Sequence, residues 1–228
     1  MIKKACFFFF FLLLSSPFLL FSQASFGLKV QINNMSTPLV IKRDLLSKPQ
    51  GSVLNPGFGL FIEYRINDRL AFQQELNYQE QRKGFILSGS ESVYNISVLE
   101  YIRLPLLLKY SIPFEKCHLI GLIGPNPGYA ILLKSGETDQ NLKITKYEQL
   151  DFSEQQVRRF DIGILCGIGI EKTIANKFKT KLSLRYNLGL LDIMKDKQST
   201  FRSRGYLLDM GFMIPLHQKK KEPAKKKP

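Results

Sequence analysis

Phe160-Asp161-Ile162-Gly163-Ile164-Leu165-Cys166-Gly167-Ile168-Gly169-Ile170-Glu171 decides the fold of this chain. One parity reads Phe, Ile, Ile, Cys, Ile, Ile and the other Asp, Gly, Leu, Gly, Gly, Glu. A period of two sends alternate side chains to opposite faces of a strand, and a helix interior would not carry glycine at that density. Working outward, the same alternation recurs over roughly 25 to 34, 57 to 67, 69 to 80, 97 to 112, 117 to 134, 157 to 172, 178 to 190 and 204 to 216. Turn-rich stretches separate these segments, so the pattern predicts eight strands.

The alternation is ionic as well as apolar. In the six cleanest strands the even positions 58 to 66, 70 to 78, 102 to 110, 160 to 170, 180 to 190 and 206 to 214 carry no charge, where a charged fraction of 23% would put about seven. The interleaved odd positions carry ten: Glu63, Arg65, Glu75, Arg103, Lys109, Asp161, Glu171, Lys181, Arg185 and Asp209, five acidic and five basic. Glycines keep the charged parity (Gly57, Gly59, Gly163, Gly167, Gly169, Gly189, Gly205, Gly211), as side chains inside a narrow eight-stranded lumen require. Aromatics fall near both ends of the apolar parity, with Phe58, Tyr78, Phe160, Tyr186 and Tyr206 at one end and Tyr64, Phe72, Tyr110, Phe178 and Phe212 at the other. Two such girdles, charges inside and lipid outside, are the signature of a transmembrane barrel.

The connections agree. Asn67-Asp68, Pro113 to Lys116 and Ala175 to Lys177 are short, while residues 35–56, 81–96, 135–156 and 191–203 are long. Short turns on one rim and long loops on the other mark an outer-membrane barrel, short turns toward the periplasm. An even strand number puts both termini on that side. The expected fold is thus all-β, an eight-stranded antiparallel up-and-down transmembrane β-barrel.

The first residues read as an export signal: Met1 to Lys4 is basic, Ala5 to Phe21 nearly all apolar, and Ser22-Gln23-Ala24 offers the small residues a signal peptidase requires. The expected organisation is residues 1–24 as signal peptide, 25–216 as barrel and 217–228 as a disordered periplasmic tail. The tail carries Lys219, Lys220, Lys221, Lys225, Lys226 and Lys227 against Glu222 and is too charged and proline-bearing to fold alone. It is the candidate contact with an acidic periplasmic surface or envelope protein. The chain's formal charge of +14 does not form a stripe on any nucleic-acid reading element, so no nucleic-acid partner is expected.

Catalysis finds no constellation. His118 opens the fifth strand and His217 follows the eighth, neither with an evident Ser and Asp arrangement. Two histidines, with Cys117 and Cys166 far apart in sequence, match no metal-ligand spacing, and no cofactor is expected. Cys166 falls mid-strand on the apolar face and Cys117 at a strand end, too far apart to bridge.

Four stretches resemble the outer-membrane β-barrel family common in Bacteroidetes, labelled porin-like or PorT-like: Tyr101-Ile102-Arg103-Leu104-Pro105-Leu106-Leu107-Leu108-Lys109-Tyr110, Gly124-Pro125-Asn126-Pro127-Gly128-Tyr129, Phe160 to Gly163 with Gly167 to Glu171, and Leu184-Arg185-Tyr186-Asn187-Leu188-Gly189-Leu190. The resemblance implies a cell outer-membrane location. It departs at the end of the chain, where such barrels commonly finish on an aromatic residue and this one continues through His217-Gln218 into lysines; Phe212 is the internal candidate for that signal. The expected function is a non-catalytic barrel with a filled, ion-paired lumen. It acts as an interaction or structural module through long extracellular loops or the basic tail, as an envelope or secretion accessory. Two other readings stay open: a soluble lipocalin-like carrier of an apolar ligand, and a small-conductance channel.

Overall fold

The structure is a computed structural model that describes residues 24–36, 40–41, 54–86, 94–138, 144–153, 157–174, 178–193, 199–200 and 202–216. Most of the expected signal peptide and all of the lysine tail lie outside these residues. The strands are β1 (Ala24–Ser36), β2 (Val40–Ile41), β3 (Asn55–Arg65), β4 (Leu70–Ile86), β5 (Tyr94–Arg103), β6 (Leu106–Phe114), β7 (Cys117–Thr138), β8 (Ile144–Gln149), β9 (Phe160–Ile174), β10 (Phe178–Gly189), β11 (Ser199–Thr200) and β12 (Arg204–Pro215).

Hydrogen bonding runs β3-β1-β12-β10-β9-β7-β5-β4, and β3 pairs back onto β4, so the sheet has no free edge around the barrel. All these pairings are antiparallel. β5 and β6 are one barrel strand. Asn77↔Arg103 and Gln74↔Leu106 share one offset against β4, as do Arg103↔Gly128 and Leu108↔Ile123 against β7. Against β4 the ladder lapses at Leu104-Pro105, and against β7 it lapses from Leu104 to Leu107, because Pro105 on one strand and Pro125 and Pro127 on the other have no N–H to give. The Pro105 carbonyl still accepts from the Glu75 N–H at 3.0 Å, and the Leu104 N–H donates to the Pro127 carbonyl at 2.9 Å. Eight strands therefore close the barrel, as the alternation predicts.

The parity rule also sorts inside from outside. Ile164, Leu184, Leu208 and Met210 face out, and Ile168 is 71% exposed. The partners one residue away, Leu165, Arg185, Leu207 and Asp209, are buried. Along β12 the outward set Tyr206, Leu208, Met210, Phe212 and Ile214 spans about 26 Å of strand at a rise of about 3.3 Å, matching the apolar band of a membrane barrel. Phe58 stacks on Tyr78 with centroids 5.2 Å apart, and Tyr186 meets Tyr206 at 5.0 Å, which builds the girdle at the long-loop end.

Two expectations change. Tyr64, expected in the other girdle, is 1% exposed, unlike Tyr110, Phe178 and Phe212 of the same girdle, which are open. In the stretches 81–96 and 135–156, expected as loops, most of the described residues are extended: β4 runs on to Ile86, β5 starts at Tyr94, and β7 continues to Thr138 with β8 beside it. A bulge permits this. Glu100 pairs with Leu132 but Tyr101 with Ala130, so Ile131 is an extra residue that resets the register above the barrel.

One close approach shows how the lumen is filled. A Cβ on Gly27 would collide with Cζ of Phe61 and stand 2.6 Å from the Phe212 carbonyl oxygen, so the Phe61 ring occupies the space a side chain would take. Gly27→Val is expected to cost about 1–3 kcal/mol by overpacking, with Phe61→Leu restoring part of the loss. Urea unfolding of the refolded barrel in vesicles measures both, and an unchanged midpoint for Gly27→Val would contradict the packing described.

Candidate functional site

Nine of the ten ions expected in the lumen are buried there, and Arg65 is the exception. Its parity is inward, but it is the last residue of β3, beside the turn at residues 66–69, and its side chain is exposed. Lys29 of β1, which the sequence reading did not single out, takes its place inside at 4% exposure. With that exchange the set still holds five cations and five carboxylates: Lys29, Arg103, Lys109, Lys181 and Arg185 against Glu63, Glu75, Asp161, Glu171 and Asp209.

The ions form three clusters along the axis. In the middle, Lys29 Nζ lies 2.6 Å from Glu75 Oε2 and 3.3 Å from Asp209 Oδ1. Arg185 closes the square, Nη1 to Glu75 Oε1 at 2.9 Å and Nε to Asp209 Oδ2 at 2.5 Å. Gln73 and Asn77 also donate to Glu75, the latter at 2.9 Å. Two cations and two anions alternating in one ring offset much of one another's desolvation, the condition under which buried charge is tolerated. Lys181 differs. Among the described residues its Nζ has no carboxylate in salt-bridge range; it donates to Gln73 Oε1 at 2.9 Å and lies 4.1 Å over the Phe61 ring.

Toward the long-loop end, Arg103 Nη2 meets Asp161 Oδ2 at 2.6 Å and donates to Ser203 Oγ at 3.1 Å. Asn126 and Asn187 are joined at 2.8 Å beside it. Above these the lumen turns apolar. Inward-facing Leu99, Tyr101, Ala130 and Leu133 pack with Phe152, Val157 and Ile193 from the connecting segments. Hydrogen bonds pin those segments, Arg158 N–H to the Ile193 carbonyl at 2.7 Å and Ala130 N–H to the Arg159 carbonyl at 2.7 Å. Exposed Asp151 accepts from the Ser153 N–H and hydroxyl, both at 2.7 Å, which holds its carboxyl below the ordinary value. A second buried apolar group, Leu107, Ile120, Leu122, Leu165 and Leu207, shares the lumen with the ions. The interior is thus packed with side chains across its width, and the long-loop end is closed by an apolar layer.

The short-turn end is different. Lys109 Nζ bridges Glu63 Oε2, at 2.7 Å, and Glu171, whose other oxygen meets Lys179 at 2.7 Å. Beyond this cluster opens a polar cavity of about 600 Å³. His118, rejected as catalytic in the sequence reading, lines it together with Arg65, Asp68 and Arg69. Among the described residues no group of three or more histidine, cysteine or acidic side chains has a metal-binding arrangement. Cys117 and Cys166 are both free thiols, and β7–β9 register sets them well apart, with Cys166 opposite Ile123 and six residues along the strand from Cys117.

Beyond the barrel, β4, β5, β7 and β8 continue as a sheet that rises from the long-loop rim. β3 stops pairing with β4 at Gly57↔Gln79, and β9 stops pairing with β7 at Tyr129↔Phe160. β8 then takes the place of β9, from Lys134↔Gln149 to Thr138↔Ile144. Among the described residues no strand pairs with the outer edge of β8.

A profile described as outer membrane protein beta-barrel domain matches residues 21–195. Among solved structures, the outer membrane protein OprG from Pseudomonas aeruginosa is similar at 11% identity and TM-score 0.52, over 86% of this chain and 96% of that one. The attachment invasion locus protein Ail of Yersinia pestis, in complex with the heparin analogue sucrose octasulfate, gives 12% and 0.45 over 85% and 98%. A major outer membrane protein from Thermus thermophilus gives 11% and 0.44 over 85% and 99%. At these identities a likeness is one of fold alone. No curated protein matches the sequence.

Proposed function

The chain belongs to the outer membrane beta-barrel family, and from that premise we propose that it is a non-conducting, non-catalytic interaction module rather than a conduit or an enzyme. A member of that family sits in the outer membrane with lipid against its exterior. In this reading residues 1–24 are removed on export, the short turns and both termini face the periplasm, and the long-loop extension faces outward. The PorT-like resemblance of the four quoted stretches adds a role as accessory to an envelope or secretion assembly. The lysine tail is a second contact on the periplasmic side.

The observation that carries this reading is the β4-β5-β7-β8 extension, whose outer β8 edge is unpaired among the described residues. An edge strand presents a row of backbone donors and acceptors that another chain can pair with, whereas the ion-packed lumen offers a solute no path. A photoreactive amino acid at Glu148 or Gln149, both exposed, is expected to crosslink a partner in intact cells, and Tyr147→Pro is expected to remove that product without changing the amount of folded barrel. Crosslinks that appear only from the tail would move the contact to the periplasmic side. The same purified barrel is expected to be silent in planar bilayers. Reproducible conductance altered by Arg185→Ala would instead establish the channel reading.

A further inference from the structure

We infer that the cavity at the short-turn mouth is a receptor for an acidic polypeptide segment, which reaches it from the rim where β1 starts at Ala24 and β12 gives way to Leu216. Glu63 and Glu171 are neutralised by Lys109 and Lys179 at the cavity floor. On the β3-β4 hairpin, Arg65 and Arg69 line the same cavity with no ion pair among the described residues, and Asp68 is the acidic residue between them. Exposed Lys116 and Lys172 stand on the same rim against Glu115. What remains unpaired at this mouth is therefore cationic in excess.

The hairpin that presents these groups is fixed before any ligand arrives. Asn67 Oδ1 accepts from the N–H groups of Arg69 and Leu70, at 2.9 and 2.8 Å, and the Ser111 N–H donates to the Arg69 carbonyl at 2.7 Å. Such an Asx turn holds the Arg69 backbone in place, so binding costs little backbone ordering there. His118, on β7, lines the cavity as well and offers an imidazole to a carboxylate. A volume of about 600 Å³ far exceeds a single carboxylate or phosphate. The uncommitted cations come from three elements of this rim, the β3-β4 hairpin with Arg65 and Arg69, the turn after β6 with Lys116 and the end of β9 with Lys172, and not from one. That distribution suits a chain with several negative charges better than one small anion.

The C-terminus strengthens the same preference. The Leu216 N–H donates to the Ala24 carbonyl at 2.8 Å, which ties the end of β12 to this rim. The six lysines of residues 217–228 follow directly in sequence. Tail and cavity are both cationic, so the tail does not neutralise the cavity but adds to the field that draws an anionic segment in. The inference rests on the orientation proposed above only for the compartment of the partner; the binding itself does not depend on it.

The test uses the full mature chain in lipid nanodiscs with fluorescein-labelled hexaglutamate, blocked at both ends, and labelled hexaglutamine as control. Hexaglutamate is expected to bind and hexaglutamine not to. Because hydrogen bonds to charged groups are worth about tenfold each, Arg65→Gln with Arg69→Gln is expected to weaken binding by at least about tenfold. Arg202→Gln, an exposed arginine at the long-loop end, is expected to leave it unchanged. Heat-modifiable gel mobility verifies that each variant is folded. Binding is expected to weaken steeply with salt. Equal affinity in the double variant, or affinity lost wholly with residues 217–228, would remove the cavity from the site. Displacement of the peptide by inorganic phosphate at matched concentration would make it a small-anion site and overturn the inference. Protease access to the tail in intact cells tests the orientation separately.

Discussion

Glu75→Ala is expected to lower the unfolding free energy of the barrel by about 3–5 kcal/mol, or to prevent folding altogether. The reason is what it leaves behind. Glu75 is 1% exposed and meets Lys29 at 2.6 Å and Arg185 at 2.9 and 3.1 Å. Removing it strands two buried cations on the single carboxylate of Asp209, and breaking a buried pair from one side costs several kcal/mol because the other charge stays desolvated. Lys181→Met provides the contrast. That cation is equally buried, but among the described residues its Nζ holds only an amide oxygen and a ring face. Losing it leaves no carboxylate unpaired, so the change is expected to stay within about 1 kcal/mol of the parent. Urea unfolding in vesicles, followed by tyrosine fluorescence and gel mobility, compares the two. Equal losses for both variants would mean that stability does not depend on which ion has an ionic partner, and the view of a paired-ion plug would fail.

That contrast also shows which part of the site the sequence carried. Charge parity located Glu75, Arg185 and Asp209, because a lumen residue can be ionised only on the inward face. It could not pair them, since pairing joins β1, β4, β10 and β12 through the closed register, and closure is not a local property. Lys29 was legible in principle: Phe26, Leu28, Val30 and Ile32 alternate with Gly27, Lys29, Gln31 and Asn33. Its strand has a single charge among amides, so a count of charges passed over it. Arg65 obeyed parity and still lay outside, because the rule holds only while a residue is within the barrel wall. The cavity around Arg69 was invisible to parity altogether. A turn side chain is placed by Asn67 and Ser111, not by alternation.

The fold was legible where the alternation was clean, in β3, β4, β9, β10 and β12. It was least legible in β7, where Pro125 and Pro127 interrupt the donors and the bulge at Ile131 resets the parity. The same bulge hid the extension, because past Ala130 the even positions no longer predict the inward face. β8 went unread for a physical reason too: a short edge strand has a neighbour on one side only, and its residues are under weaker patterning than those of a closed wall.

Leu184→Arg is expected to cost about 2–4 kcal/mol in a bilayer, or to block insertion, although the adjacent position already holds an arginine. Arg185 is buried, hydrogen-bonded and matched by two carboxylates. Leu184 is half exposed on the other face, opposite Ile168 on one side and Leu208 on the other, where hydrocarbon offers no counter-charge. A guanidinium there must either lose its hydration or drag water and headgroups inward, and the cost is largest near the midplane. One step along a strand therefore reverses the sign of the same side chain's contribution. A soluble carrier would respond in the opposite way, since an arginine on its outer wall would be solvated at almost no cost and would raise its solubility. If Leu184→Arg unfolded in vesicles at the parent's denaturant midpoint, or stayed monodisperse in buffer without detergent, the exterior would be in water and the membrane assignment of this face would be wrong. Leu208→Arg, its cross-strand neighbour on the same outward row, should repeat the loss, whereas Tyr206→Arg, in the girdle near the interface, should cost no more than about 1 kcal/mol. That depth dependence is what separates hydrocarbon from any other apolar contact as the medium against the wall.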